Sequence, residues 1–278
     1  MIFRPTDYAP AITFLLKSPV PNRHLIGFLR RAEPGELEVY TDDALSPAGV
    51  MLLSDSSPAT GVAASQPRRD VDLDAEDGRA FTPLADSLRG GCYLFTFHRQ
   101  WMIPLLWQRY EKISLTRSIY LKATRQTFTN RASMARAEQV RELREQDRPL
   151  ADAYPDDQPS LRKCLEYTAA KWRGGERALR MLGFFDGGRL AAWVQFWMGA
   201  GMCEVMNIHT HPEFRRRGYA AMLLSVAVIS IFKGHDEAYY AAVDDNAASI
   251  RLAESVGFCK ESSTYYFLGK RRREGSGL

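Results

Sequence analysis

The spacing of apolar and polar residues changes several times along the chain, and each change marks an element. Residues 6–32 predict two helices, parted by Val20-Pro21-Asn22 and ended by Glu33-Pro34-Gly35. Leu37–Thr41 and Gly49–Leu53 read as a pair of short strands. Residues 54–80 are rich in Ser, Pro, Ala and Asp and hold the run Asp70-Val71-Asp72-Leu73-Asp74, so a mobile loop is expected there. Cys92–Phe97 predicts a strand and Ser118–Lys122 another. Between them Gln100–Tyr110 predicts an aromatic-rich helix that tolerates Pro104 only in its first turn. Arg131–Arg148 is highly charged and helix-favouring, and Pro149 stops it.

The second half is more regular. A helix is expected over Leu161–Lys171, ending near Gly174-Gly175. Two apolar runs, Ala178–Phe185 and Leu190–Trp197, flank Asp186-Gly187-Gly188 and predict a hairpin. A third run, Met202–His209, leads into the basic segment Arg215–Ala220 and a long apolar helix. Strand Ala238–Val243, a helix over Ala247–Val256 and strand Thr264–Leu268 follow. The Pro- and Asp-rich stretch within 128–160 suggests a boundary between an N-terminal α/β domain, 1–150, and a second domain, 151–278.

Composition narrows the class. The chain has 278 residues, 45% hydrophobic and 25% charged, with a net charge of +4, so a core of normal size is expected. The basic residues form no long patch, and no nucleic-acid partner is expected. The apolar stretch Ala220–Phe232 is too short and too interrupted for a membrane helix and reads as a buried one. The start MIFRPTDYAP has no signal-peptide pattern. Four dispersed cysteines form no C-x-x-C pair, which fits reduced thiols in the cytoplasm. Lys270-Arg271-Arg272-Arg273 reads as a solvated tail, and Phe95, Phe97, Trp101, Trp107 and Tyr110 as mostly core.

The segment with most chemistry is Ile208-His209-Thr210-His211-Pro212-Glu213-Phe214-Arg215-Arg216-Arg217-Gly218-Tyr219-Ala220. An apolar strand enters it and an apolar helix leaves it. Small residues at Gly218 and Ala220 let a ligand approach the backbone. A helix start presents free N–H groups and a positive dipole end, which suits a phosphate. The three arginines add charge at the rim, although alone they would read as a solvated cluster. His209 and His211 lack further ligands at supporting spacing, so no metal site is expected; His211 before Pro212 is read as ordering the turn.

Arg215, Gly218 and Ala220 resemble motif A of the GNAT acetyltransferases, Arg/Gln-x-x-Gly-x-Gly/Ala. Asn246, Ser249, Leu252 and Gly257-Phe258 resemble the family's motif B. The likeness covers about residues 160–270. It implies a GNAT fold with a mixed, mainly antiparallel sheet. The preceding α/β domain would be a degenerate GNAT-like half that shapes the acceptor site, as in the glycine N-acyltransferase-like branch. It implies acyl transfer from acetyl-CoA or another acyl-CoA, without metal, directly to a small-molecule or amino-acid amine, and leaves a homodimer open. Backbone N–H groups near Ile208, His209 and Thr210 would hold the pantetheine and polarise the thioester. Those of Arg216, Arg217, Gly218, Tyr219 and Ala220 would hold the diphosphate, with Asn246 and Ser249 also at the coenzyme. Glu204, a lone carboxylate in an apolar strand eleven positions before Arg215, is the candidate general base. His209 is the alternative base. Where many members have a Tyr that protonates the leaving thiolate, this chain has Ala253. That departure keeps a non-catalytic acyl-CoA-binding or regulatory protein as the alternative.

Overall fold

The computed structural model describes every residue except 1, 34, 56–67, 133, 153, 155–160, 176–177, 200–201 and 273–278. By its contacts the chain divides into two compact units: Met1–Ile119 with Ser262–Leu278, and Tyr120–Glu261. This division falls inside two long strands and not in the 128–160 stretch suggested by composition. Residues 120–150 pack within the second unit, because Val140–Glu142 pairs antiparallel with Leu182–Phe184.

In the first unit, α1 (Ala9–Leu15) and α2 (Arg23–Leu29) precede β1 (Glu38–Thr41), β2 (Gly49–Asp55) and β3 (Arg69–Ala75). Then come α3 (Gly78–Ser87), β4 (Cys92–Phe97), α4 (Met102–Arg109) and the first part of β5 (Tyr110–Thr124). β1, β2 and β3 form an antiparallel meander, and β4 lies parallel to β3 over Arg69↔Tyr93 to Asp72↔Thr96. One face of this sheet packs Val39, Val50 and Leu52 against Phe14, Leu15, Leu25 and Leu29 of the first two helices. The other packs Val71, Leu73, Phe95 and Phe267 against Phe81, Leu84, Met102 and Leu106 of α3 and α4.

The loop expected over 54–80 is therefore corrected in part. Residues 56–67 lie outside the described ones, but Arg69–Ala75 is a strand and a helix starts at Gly78. The acidic run alternates with Val71, Leu73 and Ala75, whose side chains are buried in the core. Asp70 and Asp74 are matched on the other face: Asp70 accepts from Arg68 Nε at 3.3 Å, and Asp74 from Asn22 Nδ2 at 2.7 Å and Arg99 Nε at 2.6 Å. Composition alone hid a strand that alternates core and acidic positions. Trp107, expected in the core, is 45% exposed. The basic tail is also partly structural, because Arg271 ends the last strand with its guanidinium 5.2 Å over the Tyr110 ring.

The second unit holds the end of β5, β6 (Val140–Glu142), α5 (Leu161–Arg173), β7 (Leu179–Asp186), β8 (Arg189–Gly199) and β9 (Met202–Thr210). It continues with α6 (Tyr219–Ile231), β10 (Glu237–Val243), α7 (Ala247–Ser255) and the start of β11 (Cys259–Arg271). β6 to β9 are antiparallel neighbours, and β10 lies parallel to β9 after the α6 crossover, so the sheet is mixed and mainly antiparallel. The predicted hairpin turns at Gly187 and Gly188, with φ of 57° and 78°, values that glycine adopts without strain. The charged stretch 131–148 is not a helix. Val140–Glu142 is drawn to the sheet edge, and 3₁₀ turns flank it; in one of them Asp147 accepts from Arg141 Nη2 at 2.8 Å and from the Arg144 N–H at 2.8 Å. α6 is buried along most of its length, as its composition demands. Among the described residues no helix is long and apolar enough to cross a membrane.

Candidate functional site

The site is built around β9. Its antiparallel register with β8 runs Trp197↔Glu204 and Phe196↔Val205, then jumps to Gln195↔Asn207, Val194↔Ile208 and Trp193↔His209. Met206 is thus an extra residue, a β-bulge. The bulge reverses the parity of the strand. Glu204 and His209 are five apart and would face opposite sides of a regular strand. Here both lie opposite odd-numbered tryptophans of β8 and share one face. That face is the one covered by α5: Trp193 clusters with Cys164 and Leu165, and Trp197 with Tyr167. Their β8 partners are four residues apart, which at 3.3 Å per residue separates Glu204 and His209 by roughly 13 Å along the strand.

The bulge also marks where β9 and β10 part. Their paired residues are Tyr239↔Glu204 and Tyr240↔Val205, whereas β9 runs on to Thr210 and β10 to Val243. Beyond Val205, then, β9 has a neighbour on the β8 side. The His211 N–H donates to Ala191 O at 2.9 Å on that side. Because N–H groups alternate along a strand, His209 N–H points to β8 as well, while Ile208 and Thr210 N–H point toward the side β10 has left. His209 therefore offers its imidazole to the α5 face, and the strand donors available for a ligand are those of Ile208 and Thr210.

The turn that follows is ordered by its own side chains. His211 Nδ1 accepts from the Glu213 N–H at 3.3 Å and caps the short 3₁₀ turn Pro212–Phe214. Arg215 Nε donates to Thr210 O at 3.3 Å, and Arg217 Nη1 reaches Asp186 Oδ2 at 3.2 Å, an oxygen that also accepts from Tyr219 Oη at 2.6 Å. Arg216 has φ of 65°, and among the described residues it is the one non-glycine with positive φ, a conformation that accumulates at ligand-binding turns. Gly218 follows with φ of 82° as the N-cap of α6, and no side chain caps that helix. A Cβ built at Gly218 would meet nothing within 4 Å. The first turn of α6 is thus an open helix start, whose N–H groups lack intrahelical partners.

Residues 137–258 match the model of the acetyltransferase (GNAT) family. Over these residues, fewer than half of the chain, the sequence is similar to that family. No curated relative matches the chain. Solved structures share the fold at low identity. A GCN5-related N-acetyltransferase from Sphaerobacter thermophilus is 12% identical, with a TM-score of 0.63 over 95% of this chain and 93% of its own. A tandem GNAT protein from the clavulanic acid biosynthesis pathway is 14% identical, with a TM-score of 0.59 over 95% of each chain. A GNAT-family acetyltransferase from Colwellia psychrerythraea is 10% identical, with a TM-score of 0.57 over 97% of this chain and all of its own.

The motif B positions of the matched segment are placed by α7. Asn246 is the N-cap, its Oδ1 accepting from the Ser249 N–H at 3.0 Å, and the Ser249 hydroxyl meets Tyr240 Oη at 2.7 Å. Burial pushes the Tyr240 phenol up from its ordinary pKa. Both motif residues thus have internal hydrogen-bond roles. Gly257, with φ of 94°, ends α7 where a Cβ would lie 1.9 Å from Thr127 O. Ala253 is fully buried on the inner face of α7. Among the described residues no group of His, Cys, Asp and Glu is arranged to hold a metal.

Glu204 is 5% exposed. Beside it on the α5 face runs a polar chain that the sequence reading did not single out. Asn207 Nδ2 donates to Gln195 Oε1 at 2.7 Å, and Gln195 Nε2 donates to Thr168 Oγ1 at 2.9 Å and Cys164 O at 3.3 Å. Tyr154 Oη meets His209 Nδ1 at 3.1 Å. The signal for Gln195 and Asn207 was present: each is a lone amide within an apolar strand run, where burial demands a partner.

Proposed function

We propose that the chain is an N-acyltransferase that moves an acetyl or other acyl group from an acyl-CoA directly to the amine of a small molecule or amino acid. The observation that carries this reading is the open start of α6 at Gly218, directly after a strand that leaves its parallel neighbour. A coenzyme A diphosphate fits that start: uncapped N–H groups from Gly218, Tyr219 and Ala220, room above Gly218, and the guanidinium groups of Arg215, Arg216 and Arg217 nearby. When bound, the acyl-CoA supplies the activated thioester carbonyl. Ile208 and Thr210 N–H, on the edge that β10 has left, bind the arm and favour charge on that carbonyl oxygen. Asn246 and Ser249, at the start of α7, are the motif B residues for the same coenzyme.

Glu204 receives the proton that the amine loses. It sits where β9 and β10 begin to part, buried opposite Trp197 of β8 and Tyr239 of β10. His209, roughly 13 Å further along the strand, is placed nearer the diphosphate end and serves less well as the base. With Ala253 buried, no side chain replaces the family's tyrosine at that position, and water protonates the thiolate, a good leaving group.

The first unit repeats the plan of the second: an antiparallel meander, a helix, and a parallel strand. Together with the full-length likeness to a tandem GNAT protein, this supports reading the chain as two GNAT-type units of which the second binds the donor.

The test is thiol release from acetyl-CoA with a panel of amines, beside calorimetric titration of coenzyme A. Glu204→Gln should lower kcat about a hundredfold or more and leave coenzyme A affinity within about twofold. Full activity in that variant removes Glu204 as the base. A wild type that binds coenzyme A yet releases no thiol with any amine favours the non-catalytic alternative, which the buried Ala253 supports.

A further inference from the structure

The polar chain on the α5 face has a direction, and its direction leads to a substrate contact. Cys164 O is a backbone carbonyl and accepts only. The atom of Gln195 that lies 3.3 Å from it must therefore be the amide nitrogen, which also donates to Thr168 Oγ1, while the Thr168 hydroxyl donates its own proton to Cys164 O at 2.8 Å. With its nitrogen so engaged, Gln195 turns Oε1 toward β9. Asn207 must answer with its NH2 group, at 2.7 Å. Gln195 is 1% exposed and Thr168 is 3% exposed, so the orientation is fixed in a dry environment. The consequence is that Asn207 Oδ1 points away from the chain. Among the described residues that oxygen accepts no hydrogen bond, and the Asn207 side chain is only partly buried.

Asn207 is also the first residue after the bulge. Its β8 partner, Gln195, lies midway between the partners of Glu204 and His209, on the same face. A carbonyl oxygen is thus held, with its acceptor side unmatched, next to the candidate base and at the point where β9 and β10 part.

We propose that Asn207 orients the acceptor: its Oδ1 takes an N–H of a primary amine while the second N–H of that amine is the one lost on transfer. This rests on the acyl-transfer reading. In the transfer the amine nitrogen forms a bond to the acyl carbon, the carbon–sulfur bond breaks, one amine proton passes to Glu204 and from it to solvent water, and water gives one proton to the departing thiolate. The product amide keeps one N–H, and Asn207 Oδ1 holds that same N–H throughout. A secondary amine has one N–H, which it loses, and so leaves the Asn207 oxygen without a donor. Asn207, oriented by Gln195, is thus the residue that sets how the acceptor nitrogen is held.

The experiment compares kcat/KM for matched primary and N-methyl amines, with acetyl-CoA as donor. Wild type should prefer the primary amine by about tenfold, the size of one hydrogen bond. In Asn207→Leu that preference should collapse toward unity, with KM for the amine raised and KM for acetyl-CoA unchanged. Gln195→Met should lose part of it. A preference that survives in Asn207→Leu, or equal rises in both KM values, overturns the proposal, since a merely structural role moves both. Should wild type turn over no amine, the acyl-transfer reading fails, and a second measurement still decides this one. The Asn207 side-chain amide resonances of 15N-labelled protein, with and without coenzyme A, should move on adding ethylamine and stay in place on adding tetramethylammonium, which has no N–H. No movement with ethylamine in either state overturns it.

Discussion

The two units contain the same local arrangement, a strand followed by a helix and a parallel strand, and they finish the helix start in opposite ways. In the first unit β3 leads to α3, whose N-cap Asp77 uses one carboxylate oxygen to accept from the Arg79 and Ala80 N–H groups at 2.8 and 3.0 Å. In the second, β9 leads to α6, whose N-cap is Gly218 with no side-chain cap. A carboxylate at a helix start satisfies the N–H groups and matches the dipole. It also takes the place an anionic ligand would occupy. The strands differ in the same sense. β3 and β4 stay in register over four residues from Arg69↔Tyr93, while β9 and β10 share two registered pairs and part after the bulge. The first unit has therefore closed, with internal groups, both openings that the second presents.

A comparison within the second unit sharpens this. Gly218 and Gly257 both have positive φ, 82° and 94°, but for different reasons. Above Gly218 there is nothing within 4 Å, whereas at Gly257 a Cβ would stand 1.9 Å from Thr127 O. Gly257→Ala should give the largest effect, a loss of roughly 3 kcal/mol or more of stability from the strained φ and the backbone clash together, read as a drop in denaturation midpoint. Gly218→Ala should cost about 1 kcal/mol, the conformational part alone. Equal effects would show that the space at Gly218 has no special meaning.

Giving the second unit the cap of the first is the next test. Gly218→Asp should weaken coenzyme A binding about a hundredfold, roughly 2.7 kcal/mol, in a calorimetric titration. Unchanged affinity would break the contrast between the two helix starts.

A third test concerns the acids of β3. Burial lifts the Asp72 pKa from 3.8 to about 6, with the neighbouring Asp70 charge adding to the rise and His24 opposing it. The folded-state pKa exceeds the unfolded one, so protonation favours the fold. The stabilisation is fully present below about pH 3.8 and is lost as pH rises through about 6. Asp72→Asn should thus raise the stability of the protein at pH 7.5 by on the order of 2 kcal/mol and remove the gain that wild type shows on acidification toward pH 4. A variant no more stable than wild type at pH 7.5 would contradict the buried charge. An effect as small as that of Gly218→Ala is expected for Asp77→Ala, which should lose about 1 kcal/mol of stability and leave coenzyme A affinity unaltered. A change in that affinity would contradict the reading that the first unit takes no part in holding the diphosphate.

The local elements of the second unit were legible because their signals are local. The Gly187-Gly188 hairpin, the apolar run of α6 and the motif residues around Gly218 and Asn246 each carry their meaning within about a dozen positions of sequence. The first unit was harder to read, since β3 alternates acids with Val71 and Leu73, and whether those acids are solvated or matched depends on Asn22, Arg68 and Arg99 from elsewhere in the chain. The same holds for residues 131–148, where helix-favouring composition yields to edge pairing with β7.

By itself, the sequence determined which residue types stand at the turn after β9: glycine where φ must be positive, arginines beside it, and an apolar helix behind. Tertiary structure alone decided on which face each β9 side chain falls. A single inserted residue at Met206 shifts the register with β8, and because a strand alternates its side chains with period two, that shift brings Glu204, Asn207 and His209 to one side. No pattern within β9 marks the insertion, since it exists only relative to the strand beside it.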